Sequence, residues 1–236
     1  MNNSRRKFLR QSALAGAAFS LPFGKELMAM AGKSNAIGIQ LWTVKQALYK
    51  DTLGVLKHLS KCGYKQIEGF EGDLGIFWGM KNTELKKVLD DLGMKMVSSH
   101  CNNTQDFERK AAQAAEIGMK YLICPHKGAQ KSIDNFKRFS DEFNACGEIT
   151  KKNGLRFAYH NHDYSFVPMN GIVPQDLMMQ STNPDTVDFE MDMYWTVAAG
   201  SPGAKWVPGI PCWLFLRCSF ATPHSSAMFL IWHLAD

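Results

Sequence analysis

Short apolar runs in this sequence end, one after another, on residues that can bind metals or move protons. Ile37-Gly38-Ile39-Gln40-Leu41 runs into Trp42, Gln66-Ile67 into Glu68, Met96-Val97-Ser98-Ser99 into His100, and Tyr121-Leu122-Ile123-Cys124-Pro125 into His126. Phe157-Ala158-Tyr159 runs into His160 and His162, and Val187-Asp188-Phe189 into Glu190 and Asp192. Neutral imidazoles and carboxylates on one rim suit a divalent ion such as Mn²⁺, Zn²⁺, Co²⁺ or Fe²⁺. Singly these are weak signals: a lone histidine at a strand end is more often structural, and Glu68 could simply pair with Lys65. The joint pattern is stronger, because five of the seven histidines (His58, His100, His126, His160 and His162) fall in the same stretch and four of them end apolar runs. His160 and His162 are two apart, so extended backbone points both to one side. Asp192-Met193-Tyr194-Trp195 sets a carboxylate beside an aromatic platform on which a ring could stack, and Trp42 could play a similar part. For both tryptophans the alternative is core filling.

The elements that must position these residues repeat. Four times a helical run ends at glycine and is followed by an apolar residue, a Lys or Arg (after Gly63, Gly93, Gly118 and Gly154), and a short strand. The glycines are 30, 25 and 36 residues apart, the size of one βα unit. A glycine free to adopt a left-handed conformation closes a helix and turns the chain into a strand. Leu53, Leu56 and Leu59, and Phe107, Ala111, Ala114 and Ala115, recur at helical spacing. Strands alternating with helices imply a parallel sheet with right-handed crossovers. Six strands are expected, and their regular succession predicts an α/β parallel (βα) TIM-type barrel over residues 32–200, incomplete at about six of eight strands. A doubly wound sheet is the alternative, disfavoured because no G-x-G-x-x-G follows the first strand. In a barrel, residues at the carboxyl ends of the strands converge wherever they lie in sequence.

The first 31 residues have the order of an export signal: Arg5, Arg6, Lys7 and Arg10, then the small apolar run Ala13-Leu14-Ala15-Gly16-Ala17-Ala18-Phe19, then Ala29-Met30-Ala31. The paired arginines followed by Phe8-Leu9 resemble a twin-arginine signal, which implies the twin-arginine export machinery as a partner and a periplasmic location. The apolar run is too short to span a bilayer. The formal charge of +5 is concentrated here, and the remainder carries 22 basic against 21 acidic residues. Such a balance gives no footprint for nucleic acid or an anionic membrane. The six cysteines show no zinc or C-x-x-C spacing, and Cys62, Cys101, Cys124 and Cys146 are expected as small buried hydrophobes. From Ser201 to Asp236 the periodicity stops, with Lys205, Arg217 and Asp236 the only charges apart from histidine. This segment reads as an atypical tail, and a frameshift or premature end near residue 201 is expected.

Ile37-Gly38-Ile39-Gln40-Leu41-Trp42, Ser98-Ser99-His100, Phe157-Ala158-Tyr159-His160-Asn161-His162-Asp163-Tyr164-Ser165-Phe166 and Asp192-Met193-Tyr194-Trp195 together resemble the sugar phosphate isomerase/epimerase family of xylose isomerase-like barrels, over about residues 35 to 200. That family holds one divalent metal with residues of its fifth to eighth strands, usually Glu, Asp, His and Glu. The resemblance maps the metal onto Asp192, with His160 where many relatives have Glu, and finds no counterpart of the last two ligands. It implies proton abstraction beside a carbonyl, with His160, His162 and Glu190 in catalysis and Trp42, Glu68, His100, His126 and Trp195 on a small carbohydrate. The expectation is thus an exported metal-dependent sugar isomerase or epimerase. A keto-sugar lyase or dehydratase on the same fold, or an inactive truncated sugar-binding barrel, are the alternatives. A nuclease of this fold is disfavoured by the near-zero charge.

Overall fold

The computed structural model describes residues 38–201, 218–220 and 228–229. The segment expected to direct export (1–31) and most of the atypical tail lie outside the described residues. The elements run β1 (Gly38–Gln40), a 3-10 turn (Leu41–Val44), α1 (Lys45–Lys50), α2 (Thr52–Lys61), β2 (Gln66–Phe70), α3 (Asn82–Asp91), β3 (Lys95–His100), α4 (Phe107–Glu116), β4 (Tyr121–Cys124), α5 (Ile133–Lys152), β5 (Arg156–His160), α6 (Pro174–Ser181), β6 (Val187–Met191) and α7 (Met193–Ala198). The first six strands pair in parallel in sequence order. In the tail, β7 (Cys218–Phe220) lies antiparallel to β6 and β8 (Met228–Phe229) antiparallel to β7, so neither continues the parallel series. No helix among the described residues is long and apolar enough to cross a membrane.

The repeated sequence pattern corresponds to one repeated backbone device. At Gly118 (φ 80°) the chain turns left-handed, Gly118 N–H donates to Ala115 O (3.0 Å), and Met119 N–H reaches back to Ala114 O (3.1 Å). This double closure satisfies the last helical carbonyls. The same pair of bonds recurs after Gly63, Gly93 and Gly154. The apolar residue that follows is buried at Met94, Met119 and Leu155. The basic residue then opens the next strand, with Lys95 N–H on Lys65 O and Arg156 N–H on Lys120 O.

Helix faces pack on the outside of the sheet. Phe136 and Phe143 of α5 are buried, and the Phe143 ring lies 5.4 Å from Phe157 and 5.0 Å from Tyr159. Two expectations fail. Leu53 is 44% exposed, because it lies in the first turn of α2 and off the face that buries Leu56 and Leu59. Cys62 is exposed, because it caps the end of that helix, whereas Cys101, Cys124 and Cys146 are buried.

Alternate residues of the strands face the other way and carry unusual polarity. The sheet curls so that these residues meet, forming a half-barrel with helices alternating around it. His100 on β3 and Glu190 on β6 approach to 2.9 Å, whereas three strand spacings in a flat sheet would part them by about 14 Å. Below them Arg156 pairs with Asp188, which is fully buried, and also donates to the carbonyls of Pro184 (2.8 Å) and Asp185 (2.7 Å).

Candidate functional site

Four strand exits supply one buried cluster. Glu68 of β2 accepts from Ser98 Oγ (2.5 Å), and its other oxygen lies 3.4 Å from His100 Nε2. His100 Nε2 is 2.9 Å from Glu190 Oε2, and the same oxygen is 3.3 Å from His160 Nδ1. Gln40 of β1 approaches His100 Nδ1 at 3.5 Å. The far side of the His160 ring, Nε2, is 3.6 Å from Asp192 Oδ2. Asp192 Oδ1 accepts from the backbone N–H groups of Tyr194 (2.8 Å) and Trp195 (3.3 Å), so half of this carboxylate caps α7. Glu68 takes Ser98 and His100 as its partners, which sets aside a pairing with Lys65.

The electrostatics of the cluster are uneven. Burial and the neighbouring Glu190 charge push the Glu68 carboxyl up to about 8. Burial also works against ionisation of Glu190, but the His100 and His160 rings more than offset it and hold this carboxyl well below the usual range. Burial disfavours the imidazolium of His100, yet Glu190 and Glu68 override it and raise the ring to about 8. His162 goes the other way, to about 3, through burial and the positive charge of His160, His126 and His100. Two carboxyls with opposite shifts in one site are the arrangement that separates an acid from a base.

Above the cluster opens a cavity of ≈ 860 Å³ whose wall includes Trp42, His100, His126, His160, His162 and Trp195. Glu68, Glu190 and Asp192 lie beneath this wall and reach it through His100 and His160. Trp42 is 44% exposed, meets Phe70 edge-on at 5.2 Å, and carries the Lys45 ammonium 3.8 Å from its ring centroid. Trp195 leans on His162 (5.0 Å), and the exposed His126, on the loop after β4, stands perpendicular to His162 at 4.9 Å. Cys101 and Cys124 also line the cavity, but burial raises both thiols, Cys124 to about 12, which leaves no reactive thiolate.

Three supporting residues escaped the sequence reading. Asn161, fully buried between the two histidines, donates to Asp192 O (3.0 Å) and accepts from Asp192 N–H (2.8 Å), locking the exits of β5 and β6 together. Tyr164 Oη accepts from Lys127 N–H (3.0 Å) and Gly128 N–H (3.1 Å), which anchors the loop bearing His126. Glu142 of α5 pairs with Lys127 in the cavity wall. The His160-Asn161-His162-Asp163-Tyr164 run was visible in the sequence, but its amide and phenol gave no signal until their partners were known.

Among solved structures, a sugar phosphate isomerase/epimerase from Parabacteroides distasonis ATCC 8503 is 30% identical, matches 72% of this chain and 70% of its own length, and superposes with a TM-score of 0.62. The chain belongs to the sugar phosphate isomerase/epimerase family. More distant neighbours show the shared fold: an IOLI protein with a bound zinc atom (16% identity, 70% of this chain and 66% of that one, TM-score 0.55) and a D-psicose 3-epimerase in the presence of D-fructose (12%, 69% and 65%, 0.51). No protein-family model and no curated protein matches the sequence.

The residues of this sugar phosphate isomerase/epimerase family member fit a divalent ion. One ligand atom from each of His100, His160 and Glu190 lies within 4.8 Å of the other two, all three residues are buried, and Glu190 Oε1 and Glu68 Oε1 are buried acceptors with no hydrogen-bond partner. Two imidazoles and a carboxylate leave coordination positions open for a substrate. The set comes from β3, β5 and β6. Asp192, the ligand that the resemblance implies, stands next to it across His160.

Proposed function

We propose that this chain is an exported, metal-dependent sugar isomerase or epimerase that works by proton abstraction next to a carbonyl. The observation that carries this reading is the convergence of His100, His160, Glu190 and Glu68 at the carboxyl ends of β2, β3, β5 and β6 beneath a cavity flanked by two tryptophans. The sugar isomerases and epimerases among the structural neighbours, one in the presence of D-fructose, support a small carbohydrate as substrate. The zinc of the IOLI neighbour supports a metal of the Mn²⁺, Zn²⁺, Co²⁺ or Fe²⁺ kind.

A divalent ion held by His100, His160 and Glu190, with Asp192 alongside, would supply Lewis-acid polarisation of the carbonyl and its neighbouring hydroxyl. Glu68 remains as the buried carboxyl that holds or accepts a proton at Oε1, and its rise to about 8 matches proton exchange near neutral pH. Ser98 Oγ donates to Oε2 and fixes the orientation of that carboxyl. His162, kept neutral, can serve a substrate hydroxyl as donor or acceptor. Trp42 and Trp195 present aromatic surface on which a sugar ring stacks while excluding water.

Deuterium wash-in tests the chemistry. In D₂O, with D-fructose as the probe ketose, the chain stripped of metal and reloaded with each ion is expected to incorporate deuterium at the carbon beside the carbonyl and to conserve product mass. Ion content by mass spectrometry should follow that exchange and drop in Glu190→Gln. No exchange of ketose protons with any ion would sink the reading, and a product lighter by one water would assign elimination instead. For export, an Arg5→Lys/Arg6→Lys precursor is expected to stay cytoplasmic on cell fractionation, and its unchanged processing would reject the twin-arginine route.

A further inference from the structure

Lys127 is the one lysine or arginine in the cavity wall among the described residues. Its ammonium is caged by α5. Glu142 forms an ion pair with it, and the Phe139 and Phe143 ring centroids lie 5.2 and 5.7 Å away. Positions 139, 142 and 143 are one helical turn, so a single face of α5 supplies both rings and the carboxylate. Asn103 completes the cage, since its Oδ1 accepts from Lys127 Nζ (3.4 Å) and its Nδ2 donates to the same Glu142 oxygen. The Lys127 side chain is only 12% exposed. The other charged residue of the wall apart from histidine, Glu71, is matched by Lys110 at 2.8 Å and by Asn102 N–H at 2.7 Å. Lys45 is engaged on the Trp42 ring and is not part of the wall. Apart from the histidines and any bound ion, each charge of the wall is therefore cancelled from outside the cavity. A phosphate group needs an uncancelled cation or a set of backbone N–H groups to replace its water.

We propose that Glu142 is a specificity residue: by cancelling Lys127 it makes the cavity select an uncharged sugar or polyol and turn away the phosphorylated form. The sugar half of this inference rests on the proposed function, whereas the charge half does not. Asn102, Asn103, Thr104 and Gln105 give that wall its hydrogen-bonding groups without net charge, the chemistry that suits hydroxyls.

The experiment is calorimetric titration with D-fructose and D-fructose 6-phosphate at equal metal content, and with inorganic phosphate alone on metal-free protein, where no bound ion can take the anion. Wild type is expected to bind phosphate only weakly and to prefer the free ketose. Glu142→Gln, which keeps the shape and removes the charge, should bind phosphate about tenfold or more tightly than wild type, the worth of one charge-assisted bond. Lys127→Gln/Glu142→Gln should return to the wild-type value. Tighter binding of the phosphate ester than of the ketose by wild type, or phosphate binding by wild type as tight as by Glu142→Gln, would each overturn the proposal. Failure of wild type to bind either sugar would instead strike the proposed function, and the phosphate arms would still decide the role of Glu142.

Discussion

His100 Nε2 and Glu190 Oε2 meet at 2.9 Å from strands that have two others between them. Glu190 is thus placed to gather both His100 and His160 onto one carboxylate, and removing its charge should dismantle the ion site without unfolding the sheet. Glu190→Gln is expected to weaken Mn²⁺ or Zn²⁺ binding by about tenfold or more, read by calorimetry on chelator-treated protein. An unchanged affinity would mean that the ion is held elsewhere.

Proton binding by the same cluster sets a pH dependence of stability. Glu68 holds its proton more tightly folded than unfolded, because burial and Glu190 push it to about 8 from an ordinary 4.5. His100 is raised from 6.5 to about 8, the carboxylates of Glu190 and Glu68 outweighing burial. Between pH 6.5 and 8 the folded chain therefore binds more protons than the unfolded one, and its stability falls as pH rises through that window. His162 and Glu190, both lowered, act below it. The urea midpoint of metal-free protein should be lower at pH 8 than at pH 6.5, and Glu68→Gln should flatten the slope. A midpoint that rises across this window would contradict the shifts.

Asn161 spends its whole amide on the backbone of Asp192. Its loss leaves the buried Asp192 N–H without a partner, worth roughly 1–3 kcal/mol, while the Asp192 carbonyl keeps the Thr196 N–H (3.2 Å) and Oγ1 (2.9 Å). Asn161→Ala should therefore destabilise the chain by about 1–3 kcal/mol and loosen the exits of β5 and β6. Chemical denaturation reads the first effect. The second appears as faster amide exchange at Asp192, and protection equal to wild type would show that the lock is not needed.

The alternation of strands and helices was legible because four of the helices end in the same glycine device, and because a strand buried on both faces leaves a continuous apolar run. The polar strand exits were legible as candidates, since Glu68, His100, His160 and Glu190 each end such a run. What could not be read was the division of labour between Glu190 and Asp192. It turns on Asp192 capping α7, a choice made by the chain direction after β6. The Lys127–Glu142 pair was equally hidden, because the loop from 125 to 132 decides which face of α5 the ammonium meets. The exposure of Leu53 and Cys62 depends on where α2 begins and ends, which periodicity leaves uncertain by a turn.

Gly118 isolates the cost of the repeated helix closure. It sits at φ 80°, and a Cβ added there would have no atom within 4 Å, so substitution introduces backbone strain and no clash. Alanine must be forced into the left-handed region, which costs about 1–2 kcal/mol, and the alternative is to break the bonds from Gly118 and Met119 to the end of α4. Either route shifts Met119, which is buried and leads directly into β4. Gly118→Ala should therefore lower stability by about 1–2 kcal/mol while leaving ion affinity within twofold of wild type, since β4 contributes none of the three clustered ligands. Stability equal to wild type would mean that the turn can relax into a right-handed form. A parallel loss of ion affinity would instead mean that the register of β4 positions His100 and His160 on the strands beside it.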